Sequence, residues 1–268
     1  MQQSISILGS GWLGFPVAKK LLAEFSSVKI STRSADKLSL LAAAGLHPFQ
    51  IDIENLPDNI QDFLHSDILI INITSKNIAA FTNLIAEIEI SRVKQVLFIS
   101  STSVYPEQES PCKESDNLQQ SSHPLLIIES LLQNNSHFQT TILRCAGLIG
   151  GKRHPGRFFA ANKQAAKVIA FPKAPVNLIH LDDCLAIIAL IIKKECWGET
   201  LNGCADTHPS KEAFYTYNAL ALGLDRPQLS PQSKAVYKVI CNEKLKRLLD
   251  YQFIHSDLMR IDPCKNYD

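Results

Sequence analysis

Three glycines near the start of the 268-residue chain, Gly9, Gly11 and Gly14, have the spacing G-x-G-x-x-G and directly follow the run Ser4-Ile5-Ser6-Ile7-Leu8. Between a strand and a helix, this spacing suits a pyrophosphate for three separate steric reasons. The first glycine permits a tight turn, the second lets the backbone approach the phosphates, and the third lets helix and strand pack closely. The helix that follows offers unpaired N–H groups and its positive dipole end to the anion. Ser10, Trp12 and Leu13 complete the turn. Pro16 falls among the first four N–H positions of that helix, which need no internal partner, so it need not break it. The competing reading is a glycine-rich turn that holds nothing. The strand–turn–helix context favours a nicotinamide dinucleotide.

The residues that would face the adenosine ribose decide which dinucleotide. In folds of this kind an acidic residue closing the second strand grips the ribose hydroxyls of NAD. Here the second apolar run closes with Ser31-Thr32-Arg33-Ser34, and the first acid after it is Asp36. An arginine flanked by hydroxyls suits a 2′-phosphate through charge-assisted hydrogen bonds, so NADP is expected ahead of NAD. Arg33 as a solvated loop residue is the other reading. Asp52 is placed either at the adenine edge or as the cap of the next helix. Asn72-Ile73-Thr74 closes the fourth run and is expected beside the cofactor.

Further along, Gly151-Lys152-Arg153-His154-Pro155-Gly156-Arg157 concentrates basic side chains. Arg153, His154 and Arg157 could receive a carboxylate or phosphate, on a substrate or on the cofactor; a solvated loop stiffened by Pro and Gly is the plainer alternative. His180 precedes an apolar run and reads more readily as a satisfied core or hinge histidine than as a base. His47, His65, His123 and His208 show no metal-ligand spacing, and the seven cysteines contain no C-x-x-C pair. No metal site is expected.

The elements that must position these residues alternate along the first two-thirds of the chain. Strands are predicted over Ser4–Leu8, Val28–Thr32, Phe49–Ile53, Ile68–Ile73, Gln95–Ser100 and Thr140–Cys145, several continuous in Ile, Leu and Val. Such runs mark strands covered on both faces of a parallel sheet. Helical spacing of apolar residues appears over Leu13–Phe25, Lys37–Ala44, Ile78–Ile90 and Leu125–Asn134. The alternation predicts an α/β, Rossmann-like doubly wound sheet. After about Gly150 the rhythm changes, towards Asn202–Leu224 and a Lys-rich helix over Asn242–Asp250. Residues 1–150 are therefore expected to form the NAD(P)-binding domain, and 151–268 a smaller lobe covering the substrate cleft, with some segments free to return to the sheet.

A formal charge of +1 offers no broad electrostatic footprint for nucleic acid. The longest apolar runs, such as Leu185–Ile192, are far too short to span a bilayer. With no export signal pattern and scattered thiols in a chain able to build a full core, a cytoplasmic protein with reduced cysteines is expected.

Lys94-Gln95-Val96-Leu97-Phe98-Ile99-Ser100-Ser101-Thr102-Ser103-Val104-Tyr105-Pro106 resembles extended short-chain dehydrogenases/reductases of the epimerase/dehydratase-like group, whose strand ends in Ser-Ser-x-x-Val-Tyr-Gly. Ile142-Leu143-Arg144 is similar to that group's Leu-Arg segment, and Asn177-Leu178-Ile179-His180-Leu181-Asp182-Asp183 to its Ile-His-Val-Asp-Asp helix entry. More narrowly, Gly11-Trp12-Leu13-Gly14 and Arg153-His154-Pro155-Gly156-Arg157-Phe158 resemble an atypical branch, the YeeZ-like proteins. The resemblance implies that Ser101 orients a substrate, or bonds the backbone, with Thr102 and Ser103 beside the ligand and Tyr105 structural. It also implies a Tyr-x-x-x-Lys pair, in which lysine lowers the tyrosine pKa for proton exchange during hydride transfer.

None of the six tyrosines has a lysine four residues later. Setting Glu129 against the acid that often follows the pair puts Ser121 at the tyrosine position and Leu125 at the lysine position. Neither can do that job. Two functions remain: an oxidoreductase acting on a small polar or anionic molecule with a substitute acid (water, Ser101 or His154), or a non-catalytic NADP(H)-binding redox sensor or regulatory module. An epimerase is disfavoured by the missing tyrosine. The expected partners are a small-molecule substrate and, for assembly, a second copy in a homodimer.

Overall fold

The computed structural model describes residues 3–116, 118, 122–159, 168–232 and 237–263. They divide into two compact units: Met1–Val104 with Asn117–Arg144 and Ile187–Leu201, and Tyr105–Asp116 with Cys145–Ala186 and Asn202–Asp268.

The first unit is built on strands β1 (Ile5–Leu8), β2 (Val28–Thr32), β3 (His47–Gln50), β4 (Ile68–Ile71), β5 (Gln95–Ser101) and β6 (Gln139–Cys145). Helices α1 (Gly14–Leu21), α2 (Leu38–Ala43), α3 (Ile60–Leu64), α4 (Ile78–Glu89) and α5 (Pro124–Gln133) alternate with them. Further along come β7 (Gly147–Ile149), β8 (Val168–Ile169), β9 (Leu178–His180), α6 (Leu181–Lys193), β10 (Thr200–Gly203), α7 (Lys211–Ala221), β11 (Gln228–Leu229) and α8 (Glu243–Leu249). The large sheet runs β10-β6-β5-β4-β1-β2-β3. Its β1–β2, β1–β4, β2–β3 and β4–β5 pairs are parallel. This is the doubly wound arrangement expected from the alternation. The strand order reverses between β1 and β4, and ligands of such sheets bind outside the strand ends at that reversal.

Continuous apolar strands supply the core. Ile68, Leu69, Ile70 and Ile71 of β4 are all buried, as are Ile5, Ile7 and Leu8 of β1 and Val96, Leu97 and Phe98 of β5. Each such side chain contributes roughly 1.5–3 kcal/mol relative to an exposed one. Polar side chains cap the starts of α4 and α5: Asn77 Oδ1 accepts from Ala80 N–H, and His123 Nδ1 from Leu125 N–H before Pro124 opens α5.

The third strand lies earlier than predicted, at His47–Gln50 rather than Phe49–Ile53. Its register against β2, from Lys29↔His47 to Thr32↔Gln50, runs out where β2 ends. Ile51 and Ile53 are buried, but in a loop turning across the strand ends, so the apolar alternation outlives the strand. The fourth strand stops at Ile71, two residues before its predicted end.

The second unit contains two short parallel pairs, β7–β9 and β8–β11. Its core gathers Ile149, Val176, Leu178, Ala205, Phe214, Leu258 and Ile261. The predicted C-terminal helix is present as α8, closed by Asp250 in the left-handed conformation and anchored inward by Leu245 and Leu249.

Candidate functional site

The three glycines of the first turn meet three different constraints. Gly9 has φ +108°, and a Cβ there would lie 2.4 Å from the Asn72 carbonyl oxygen. A Cβ on Gly14 would lie 1.9 Å from the carbonyl oxygen of Gly9, inside any contact distance. Gly11 is different: a Cβ there would meet nothing within 4 Å. The turn therefore needs glycine at its two ends for its own sake, while the middle one faces open space. No side chain caps the start of α1, and its first turn holds no acid. Leu13 is buried in the core beneath the turn, and Trp12 is half-buried outside the cavity lining.

The open space belongs to a cavity of about 550 Å³ at the ends of β1, β2 and β4 and the loop after β3, within the range of about 300–1,000 Å³ usual for small-molecule sites. Gly9, Ser10 and Gly11 form one wall, Thr32, Arg33 and Ser34 a second, and Asp52, Ile73 and Thr74 a third. Nine of the twelve residues named from sequence as cofactor contacts thus line a single cavity; Gly14, Trp12 and Leu13 do not. Ser31 and Asn72, which flank the segments expected beside the cofactor, also line it, as do Lys37, Ile53, Glu54 and Ser75, which sequence reasoning did not name as contacts. Ser31 Oγ accepts from Gly9 N–H at 2.8 Å, fixing the turn to the end of β2. Glu54 accepts hydrogen bonds from Ser75 Oγ, at 3.0 Å, and from Asn77 Nδ2. Asp52 accepts from Glu54 N–H at 3.1 Å and bridges Asn55, so it stabilises its own loop and caps no helix. Arg33 is exposed, and no carboxylate among the described residues pairs with it.

Residues 9–170, more than half of the chain, match the NAD(P)H-binding family. The chain belongs to that family. Protein YeeZ of Escherichia coli (strain K12) is 29% identical over 271 residues, covering 95% of this chain and 97% of YeeZ. UDP-glucuronic acid 4-epimerase from Bacillus cereus, solved with UDP-glucuronic acid and NAD, shares the fold at TM-score 0.78 and 17% identity, over 97% of this chain and 98% of its own. A short-chain dehydrogenase/reductase superfamily protein from Agrobacterium tumefaciens, solved with bound NAD, does so at TM-score 0.77 and 17% identity, over 97% and 96%. These likenesses establish an epimerase/dehydratase-like fold.

In this NAD(P)H-binding family member, the glycine turn, open at Gly11 and free of acids, fits a dinucleotide pyrophosphate. The serine-rich strand end holds Ser101, whose Oγ accepts from Ser103 N–H at 3.1 Å. The backbone-bonding alternative for Ser101 is therefore realised, and its hydroxyl hydrogen is left to donate. Thr102 is buried in the short turn that follows, and Ser103 is exposed. Helix α5 reads Pro-Leu-Leu-Ile-Ile-Glu-Ser-Leu-Leu-Gln. Ser121 lies outside the described residues, and Leu125 is buried. Glu129 is buried as well, accepting from Ser100 Oγ at 2.5 Å and from Arg144 Nη2 at 2.6 Å. A buried carboxylate engaged in this way by a guanidinium and a hydroxyl holds structure.

The residues expected near a substrate in the C-terminal part lie in the second unit. His154 departs from its expectation as a proton donor or ligand contact. Its Nδ1 accepts from Gly156 N–H at 3.0 Å, and its Nε2 lies 2.8 Å from the Pro263 carbonyl oxygen. Burial lowers its pKa and keeps it neutral. Both ring nitrogens are taken, so it works as a cap. Gly156 allows this, since a Cβ there would lie 2.3 Å from the Asn218 carbonyl oxygen. Arg153 and Arg157 are exposed. His180 is buried, with Nδ1 3.2 Å from Asp182 N. Tyr105 is structural, its hydroxyl donating to Asn202 Oδ1 at 2.9 Å.

Proposed function

We propose that this protein binds a nicotinamide dinucleotide in the cavity at the β1/β4 reversal, prefers NADP(H), and serves oxidoreductase chemistry on a small polar or anionic molecule. The observation that carries the reading is the open approach to Gly11 opposite Arg33. The pyrophosphate rests against the uncapped start of α1, and the adenosine ribose lies towards Thr32, Arg33, Ser34 and Lys37. Two cations there and no acid closing β2 support the 2′-phosphate. Ile73 and Thr74 flank the path towards the nicotinamide, which when bound supplies or accepts a hydride. Ser101 donates its hydroxyl hydrogen to a ligand oxygen and so orients it; the proton for any reduced product comes from water. Arg153 and Arg157, both exposed, are the cations offered to an anionic group on the substrate. None of the six described cysteines is in a disulfide, which supports a reducing, cytoplasmic setting.

One observation favours a second reading. Helix α5 carries neither tyrosine nor lysine, and both ring nitrogens of His154 are engaged, so neither supplies a general acid. On that reading the protein is a non-catalytic NADP(H) sensor or regulatory module.

Calorimetry with NADP⁺, NADPH, NAD⁺ and NADH tests the binding claim, with tighter binding of the phosphorylated pair expected. No heat from any of the four overturns it. Incubation with NADPH and a panel of carbonyl compounds then separates the readings: loss of nicotinamide absorbance supports catalysis, and tight binding without turnover supports the sensor.

A further inference from the structure

We infer that His180, Asp182 and His255 form a binding site for one divalent first-row transition-metal ion. The site lies wholly within the second unit and is independent of the dinucleotide reading.

The donor atoms already stand at ligand spacing. Asp182 Oδ2 lies 3.2 Å from His180 Nδ1 and 2.9 Å from His255 Nε2. One donor atom from each residue can be chosen so that all three lie within 4.8 Å of one another. Donors bound at about 2.0–2.2 Å in tetrahedral or octahedral geometry stand about 3.0–3.4 Å apart, so the two distances to Asp182 Oδ2 already suit an ion, and closure needs only that the two imidazoles turn towards it. Two imidazoles and one carboxylate are a donor set that zinc and neighbouring ions use when a position is kept open for water. The exposures fit an open position: the side chains of His180 and His255 are 3% and 12% exposed, while that of Asp182 is 51% exposed.

The proton arrangement of the triad without an ion is self-opposed, and this observation points to a cation. His180 Nδ1 lies 3.2 Å from the Asp182 N–H, a donor, and 3.2 Å from Asp182 Oδ2, an acceptor. A ring nitrogen either carries a hydrogen or offers a lone pair. With a hydrogen it opposes the N–H; with a lone pair it opposes the carboxylate. A cation between Nδ1 and Oδ2 turns that repulsive lone pair into a ligand, in exchange for the long 3.2 Å bond from the Asp182 N–H.

Residues around the triad hold it in place, as supporting groups do at metal sites. Asp183 accepts from Tyr251 Oη at 2.7 Å, Ile254 N at 2.7 Å and His255 N at 3.1 Å, so the segment bearing His255 is fastened beside Asp182. On the other side, Gly150 lets the His180 ring approach its backbone, because a Cβ there would lie 2.7 Å from Nε2. The two imidazole rings stand 3.9 Å apart, centre to centre.

The test uses the full chain, stripped with a chelator and titrated with Zn²⁺ by calorimetry, with Co²⁺ as a spectroscopic probe. The expected result is one equivalent bound, a higher melting temperature, and visible cobalt bands. His255→Gln and Asp182→Asn, both at the more exposed ligands, are expected to weaken binding by roughly 100-fold each, at or beyond what losing a supporting residue costs. Circular dichroism of the metal-free variants checks that they fold. No binding by the wild-type chain overturns the inference, as does binding that persists unchanged in both folded variants, since the ion then sits elsewhere.

Discussion

Ser31 Oγ accepts a hydrogen bond from Gly9 N–H at 2.8 Å, so the end of β2 holds the first residue of the phosphate turn. Ser31 is buried, and its loss would leave the Gly9 N–H without that acceptor. Ser31→Ala should cost about 1–3 kcal/mol of stability. It should also weaken dinucleotide binding, because the turn loses its register. Urea denaturation and calorimetry on the same preparation check both, and an unchanged midpoint would show that water replaces the serine.

Gly11 and Gly14 should behave oppositely. Gly11→Ala places a methyl group in open space, so the variant should melt with the wild type yet lose most dinucleotide affinity. Gly14→Ala drives a Cβ to 1.9 Å from a backbone oxygen and should fold poorly, if at all. Wild-type affinity in a folded Gly11→Ala variant would move the pyrophosphate away from this turn.

Arg33→Asp should weaken NADPH binding far more than NADH binding, because only NADPH carries the 2′-phosphate. Equal losses would show that the arginine does not read that group.

Arg144 and Glu129 form a buried ion pair at 2.6 Å. Arg144→Met leaves a carboxylate buried without its cation and should cost about 3–5 kcal/mol. Replacing both, as Glu129→Leu with Arg144→Met, should restore much of that loss. A double variant no more stable than the single one would mean that Ser100 and the remaining contacts carry more than the charge pair does.

His154 predicts an acid-side loss of stability. Burial lowers its folded pKa below the ordinary value, so between the two values the unfolded chain binds more protons. Its contribution is therefore complete above a pH of about 6.5 and is lost as pH falls from there through the folded value. His208, lowered for the same chief reason, adds to the slope. Melting temperatures measured from pH 7.5 to 5 should fall, and His154→Gln should flatten the fall.

Local features were the legible ones. The glycine spacing, the apolar parallel strands and the Arg33 position are written within a few consecutive residues, and they led to one cavity. Contacts made at a distance were not legible. The Ser31–Gly9 bond spans 22 residues, and the Glu129–Arg144 pair 15. His255 reaches Asp182 across 73 residues, which is why no ligand set was visible among the histidines. His154 misled for a related reason: sequence shows a histidine among arginines, and only the fold shows Pro263 and Gly156 occupying its ring. The third strand was misplaced because burial of Ile51 and Ile53 continues past the ladder that pairs with β2.

The carboxylate of Glu129 joins three consecutive pieces of the chain, since Ser100 comes from β5, Glu129 from α5 and Arg144 from β6. Those pieces cannot open one at a time without stranding a charge away from water. Amide hydrogens along them should exchange as a single block, and a protease should find no foothold there until the whole block has come apart.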